Sequence, residues 1–142
     1  MTKRKLIRVA AYGVVVINES LLLCRMARDA PSAGMWTLPG GGIEFGEAPW
    51  DAVVREFAEE TGLTIKPLHV LTVLSDINEV DEIVEHSVRI VYRVALLGGN
   101  LTSERCGSTD LCAWHTREGM RILDLVPMAR LAGELAFPVG AE

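Results

Sequence analysis

Three glutamates crowd into five residues of this chain: Glu56, Glu59 and Glu60. On a helix, positions i, i+3 and i+4 project from one side. In water the mutual repulsion of such carboxylates costs only about 0.2–0.5 kcal/mol per pair, so a solvated acidic face is the plain reading. The other reading is chemical. Mg²⁺ takes oxygen ligands and is commonly held by a few carboxylates together with phosphate oxygens and water; Mn²⁺ suits the same donors. A helix fixes the spacing of the carboxylates, and a bound cation relieves their repulsion. The rival metal motif, an EF-hand loop, needs a twelve-residue run rich in Asp and Asn, which this stretch lacks.

The element that must position these carboxylates is a helix over Pro49 to Thr61. Proline suits its first turn, where a missing N–H does no harm. Gly62 suits the residue just past its end. At 100° per residue, Trp50, Val53, Val54 and Phe57 form an apolar face for a core. The glutamates gather elsewhere, with Ala52 among them, and Arg55 points to a different side from Glu59 and Glu60. Around this helix, Leu6 to Ile17 and Leu21 to Cys24 read as a strand hairpin turning at Asn18-Glu19. Arg28 to Met35 reads as polar loop, Trp36 to Leu38 as a short strand, and Pro39 to Gly42 as loop. Thr64 to Leu74 and Val84 to Leu97 read as long strands, separated by an acidic, turn-like Ser75 to Glu85. Gly98-Gly99-Asn100 is a turn, Leu111 to His115 a short strand, and Leu123 to Leu135 a second helix. Strands around a central and a terminal helix predict an α/β sandwich.

Composition narrows the classes. The chain has 142 residues, 49% hydrophobic and 23% charged, as expected of one globular domain over 1–142. A net charge of −5 argues against nucleic-acid binding through broad phosphate contacts. It leaves room for a nucleotide as a small-molecule substrate, because a metal ion offsets acidic walls. Lys3-Arg4-Lys5 precedes an apolar run, but Arg8 interrupts that run and Asn18-Glu19 ends it. We read this segment as a basic lead into a strand rather than a signal peptide. No run is long enough for a membrane span. Cys24, Cys106 and Cys112 form no CxxC and are odd in number, which predicts free thiols and a cytoplasmic location.

Outward from the glutamates the spacing is more specific. Gly41 is followed after five residues by Glu47. Seven residues later come Arg55-Glu56-Phe57, then Glu59-Glu60, then Gly62-Leu63. At roughly 6–7% usage per residue type, such a match by chance has odds below ~10⁻⁶. The pattern resembles the Nudix box, the signature of the Nudix hydrolase family. The resemblance implies a Nudix-type α/β/α sandwich with a mixed central sheet. It also implies metal-dependent hydrolysis, with Mg²⁺ or Mn²⁺ held by Glu56, Glu59, Glu60 and the backbone carbonyl of Gly40. Glu56 is a ligand or the base for the attacking water. Similarity to the family further suggests that Arg55 pairs with Glu47 and pins the loop to the helix.

Outside the box, Arg25 at the end of "LLLCR" looks like the family's arginine that reaches substrate phosphates. His86, Arg89 and Tyr92 are candidates to line a nucleotide pocket, against the alternative of a wet sheet face. A further carboxylate from a loop is expected among Glu79, Asp81, Glu82, Glu104 and Asp110. Trp36 and Trp114 are expected in the core. The expected reaction is hydrolysis of a phosphoanhydride in a nucleoside diphosphate linked to another moiety. Markers of ADP-ribose, dinucleoside polyphosphate and NADH hydrolases are missing after the box, which favours a MutT-like nucleoside triphosphate pyrophosphatase. An ADP-ribose or nucleotide-sugar pyrophosphatase, a non-catalytic nucleotide sensor and a prenyl diphosphate isomerase are the alternatives. A homodimer is left open.

Overall fold

The computed structural model describes residues 2–103 and 107–137. The apolar stretch expected as one strand from Leu6 to Ile17 is two: β1 (Arg4–Val14) and β2 (Val16–Ile17), which lie in different sheets. Buried Val15 is the corner between them. Asn18 and Glu19 both take positive φ, 50° and 63°, which a tight two-residue hairpin requires. They return the chain into β3 (Ser20–Met26).

The first sheet has the order β5-β1-β7-β6. It contains β5 (Gly40–Gly42), β6 (Leu63–Val80) and β7 (Ile83–Gly99). β1 runs parallel to β7 and antiparallel to β5, so this sheet is mixed. The second sheet is antiparallel. β8 (Thr109–Thr116) pairs along β3, while β2 and β4 (Trp36–Thr37) share the other edge of β3.

Two helices cover opposite sides of the sheets. α1 (Pro49–Thr61) packs Ala52, Val53 and Phe57 against Ala11, Leu22, Cys24 and Val94. α2 (Pro127–Ala136) packs Met128, Ala129 and Ala132 in a second core with Val14, Leu21, Leu23 and Val91. Successive residues of β3 therefore feed alternate cores. That is why "LLLC" is apolar throughout instead of alternating with polar residues. The α/β/α sandwich expected from the sequence is the architecture observed.

Several boundaries differ from expectation. Ser75 to Glu85 is no turn-like segment: β6 and β7 run on through it, in regular register from Thr72↔Val91 to Val80↔Ile83. The reversal is confined to Asp81 and Glu82, with Asp81 at φ 54°. The acidic residues mark the exposure of that hairpin, not a break in it. Gly40–Gly42, expected as loop, forms a ladder with β1, since backbone pairing needs no side chains. The second helix, expected within Leu123 to Leu135 with a start near Asp124 and Pro127, begins at Pro127. The backbone before it serves β4 instead: Trp36 N–H donates to Asp124 O (2.7 Å) and Val126 N–H to Trp36 O (3.0 Å).

Trp50, expected in the core, is 57% exposed. Trp36 and Trp114 pack partly buried against the two cores. Cys24 and Cys112 face each other across the β3–β8 register, Cα atoms 4.1 Å apart, with their sulfurs in disulfide contact. This corrects the expectation of free thiols for that pair; Cys106 lies outside the described residues. Among the described residues no helix is long and apolar enough to cross a membrane.

His115 stacks edge-on against Trp36, ring centroids 4.6 Å apart. Its buried Nε2 has no hydrogen-bond partner among the described residues. Burial pushes its pKa below the ordinary 6.5. The unfolded chain therefore binds the proton more readily than the folded one. The contribution of neutral His115 is intact above about pH 6.5 and is lost as pH falls below it. Melting temperatures measured from pH 8 to pH 5 should decline less steeply in His115→Phe than in the unaltered protein. Equal slopes would show that His115 is not held neutral.

Candidate active site

α1 is bounded at both ends by residues suited to starting and stopping a helix. Pro49 opens it, and the Gly62 N–H closes it on Ala58 O at 3.1 Å, with Gly62 in the left-handed region at φ 75°. Thr61 adds a second clasp at this end, donating to Phe57 O at 2.6 Å and accepting from the Leu63 N–H at 3.1 Å. With its C-terminus fixed, the glutamate face of α1 meets β5.

The antiparallel ladder decides what β5 presents. Gly13 N–H donates to Pro39 O and Ile43 N–H to Val9 O. By the alternation of such ladders, Ala11 and Gly41 also exchange bonds, while the polar groups of Gly40 and Gly42 face the other way, toward α1. There, Gly40 N–H donates to Glu60 Oε1 at 3.0 Å, and Gly42 O accepts from Arg55 Nη2 at 3.2 Å. The glycines are required sterically. A Cβ at Gly40 would strike Ala11 O, and one at Gly41 would sit 2.8 Å from the Glu56 carboxyl carbon.

Arg55 is the hub. Its Nε and Nη2 grip both oxygens of Glu47 at 2.8 and 2.9 Å. Nη1 reaches Glu56 at 2.9 Å and Glu59 at 3.4 Å. Arg55 therefore shares a side of α1 with Glu59, which corrects the expectation that it points elsewhere. The Arg55 bond and the Glu44 N–H hold the Glu47 carboxyl well below the usual range, at about 2. The same pairing pushes the Arg55 pKa up.

Glu60 behaves differently from its neighbours. It is 2% exposed, whereas the Glu59 side chain is 52% exposed. Its oxygens accept from Gly40 N–H and from Thr109 Oγ1 (3.3 Å). The buried stripe of α1 thus runs through Ala52, Val53, Phe57 and Glu60, not through Trp50. Among the described residues no three acidic, cysteine or histidine side chains converge as a ready-made metal cluster. Arg55 holds Glu56 and Glu59, and Glu60 is turned to β5. The donor set is nevertheless all oxygen, as a hard divalent cation demands.

A cavity of about 760 Å³ opens beside these groups. Glu56, Glu60 and Gly40 to Gly42 form one wall. Arg8, Tyr12, Asp76, Glu85 and Arg89 form another, and Val126, Met128 and Leu131 around the start of α2 close it. Arg89, expected at a nucleotide pocket, lines this cavity and pairs with Asp76 at 2.7 Å. Its companions do not. His86 lies on the opposite face, hydrogen-bonded to Ser75, and Tyr92 is buried in the core under α1, where burial raises its pKa. Arg25 is outside the cavity wall, paired with Asp110 at 2.9 Å. Glu79 pairs with Lys3, Asp81 and Glu82 form the hairpin turn, and Glu104 lies outside the described residues. The carboxylates that do line the cavity from outside the box, Asp76 and Glu85, were missed, as was Arg8. The sequence carried one signal for Arg8: it interrupts an apolar strand.

Residues 7–131 match the NUDIX domain model. The chain belongs to the NUDIX domain family. Relatives of this Nudix chain include a putative 8-oxo-dGTP diphosphatase 2 of Mycobacterium tuberculosis, 32% identical over 124 residues, which are 87% of this chain and 83% of that protein. The nucleoside triphosphatase NudI of Enterobacter sp. strain 638 is 33% identical, over 87% of this chain and 92% of that one. The crystal structure of a MutT NUDIX hydrolase from Burkholderia pseudomallei matches with a TM-score of 0.80 at 28% identity, covering 93% of this chain and 99% of that one. The expectation of a Nudix hydrolase with pyrophosphatase activity therefore stands.

The unlike settings of Glu59 and Glu60 separate in a stability measurement. Glu60→Ala strands the Gly40 N–H and the Thr109 hydroxyl, at a cost of about 1–3 kcal/mol. Glu59→Ala, on the wet side, should stay within about 0.5 kcal/mol of the unaltered protein. Denaturant midpoints of the metal-free proteins read this difference; equal midpoints would contradict the structural role of Glu60.

Proposed function

We propose that this Nudix hydrolase is a MutT-like nucleoside triphosphate pyrophosphatase, working in the cavity between α1, β5 and the start of α2. The observation that carries the reading is the continuity of one cavity from Glu56 and Glu60 to Arg89, Tyr12 and the apolar residues of α2. Its volume falls within the 300–1,000 Å³ typical of small-molecule sites. A phosphate chain laid against β5 would leave its nucleoside toward α2.

Glu56, Glu59, Glu60 and the Gly40 carbonyl would hold Mg²⁺ or Mn²⁺. Such an ion, when bound, offsets phosphate charge and makes a nucleophile of bound water. The chain's own part is positional. Arg55 fixes Glu56 and Glu59 through one rigid fork and ties them to Glu47 and Gly42. Glu56, at the cavity wall, is either a ligand or the group that accepts the proton of the attacking water. Gly40 and Gly41 let the backbone approach the phosphates where any side chain would intrude.

The test is a hydrolysis panel of nucleoside triphosphates, ADP-ribose, nucleotide sugars and dinucleoside polyphosphates, with Mg²⁺, Mn²⁺ or Ca²⁺. Nucleoside triphosphates should be cleaved to monophosphate and pyrophosphate with Mg²⁺ or Mn²⁺. Ca²⁺ should support turnover poorly, because its longer, looser coordination misplaces an in-line water. Full turnover after exhaustive chelation, or preference for a diphosphate diester, would overturn this reading.

A further inference from the structure

The cavity wall carries four carboxylates, Glu56, Glu60, Asp76 and Glu85, against two cations, Arg8 and Arg89. Arg89 is committed to Asp76 at 2.7 Å. Arg8 makes no ion pair or side-chain hydrogen bond among the described residues, although it is partly buried. A half-buried guanidinium gives up hydration, so it is favourable mainly where an anion completes it. Glu85, its neighbour in the wall, accepts instead from Ser87 Oγ at 2.9 Å.

The placement of Arg8 follows from register. Arg8 and Ala10 are two apart on β1 and share a face, and Ala10 pairs with Gly42 of β5. A Cβ at Gly42 would lie 3.5 Å from Arg8 Nη2, in ordinary contact. On the opposite face of the same strand, the position of a Cβ at Gly41 is filled by the Glu56 carboxylate. The glycine strand thus separates the carboxylates of α1 from one uncommitted cation by a single backbone thickness.

We propose that Arg8 anchors a phosphate of the substrate that the carboxylate-bound metal does not hold, the part the sequence pattern suggested for Arg25. The proposal rests on the hydrolase reading above and deepens it. A divalent ion beside Glu56 and Glu60 would bring the wall only to neutrality. A polyphosphate carries several negative charges and needs a further positive group. Arg8 supplies it across the edge of β5, as a planar fork suited to two phosphate oxygens.

The experiment compares Arg8→Ala, Arg8→Lys and Arg4→Ala. Arg4, exposed on the same strand, controls for loss of one positive charge. Two readouts are taken: steady-state hydrolysis of the best nucleoside triphosphate with Mg²⁺, and calorimetric binding of its methylene-bridged, non-hydrolysable analogue. Losing a charge-assisted contact should raise KM, and weaken analogue binding, by at least ~10-fold in Arg8→Ala, with kcat changed far less. Arg8→Lys should recover part of the loss, since charge is kept and the fork is not. Arg4→Ala should stay within about twofold on both readouts. Unchanged KM and binding in Arg8→Ala, or a fall in kcat alone, overturns the proposal. If the unaltered protein binds the analogue but cleaves no nucleotide, the hydrolase reading fails while binding still decides Arg8; if it binds none, both fail.

Discussion

One guanidinium organises this site. Arg55 bonds to Glu47, Glu56 and Glu59 and to the carbonyl of Gly42, and so joins the loop before α1, the helix itself and the glycine strand. Remove it, and three carboxylates on a helix and its preceding loop repel one another at close range, partly shielded from water. Arginine suits the position because its fork grips both oxygens of Glu47 while a third nitrogen still serves α1. Lysine would offer a point charge without that geometry. The low pKa of Glu47, about 2, has a direct consequence. Its pairing contributes fully above its ordinary value of 4.5 and is lost only as pH falls toward 2.

The site depends equally on a strand with no side chains. β5 brings backbone within reach of Glu56 on one side and Arg8 on the other, and offers Glu60 an N–H at its edge. Pairing with β1 holds it there. The acidic face of α1 is therefore not uniform. Glu60 is buried against β5, Glu56 is half-sheltered, and Glu59 faces water. Three identical residue types thus sit in three unlike surroundings.

Much of this was legible in the residues. The limits of α1 are written in Pro49 and Gly62, and the tight hairpin in Asn18-Glu19. The continuous apolar run of β3 reflects burial on both faces. What escaped depended on long-range partners. The strand Gly40–Gly42 is invisible to propensity, since only β1 makes it a strand. The polar residues of β6 and β7 resemble a turn because the hairpin projects into water. Arg25 and Arg8 are both arginines on strands, and only the folded chain shows that Arg25 pairs with Asp110 off the cavity wall while Arg8 lines it. Cys24 and Cys112, 88 residues apart, are adjacent only because β3 and β8 pair.

The claim that Arg55 works by holding the carboxylates, not by touching substrate, is open to one direct measurement. Mn²⁺ affinity and steady-state kinetics would be determined together for Arg55→Ala. Holding predicts weaker Mn²⁺ binding and a fall in kcat of about 10²-fold, or about 2.7 kcal/mol in the barrier, with KM little changed. A rise in KM alone, with Mn²⁺ affinity and kcat intact, would place Arg55 on the substrate and contradict the account.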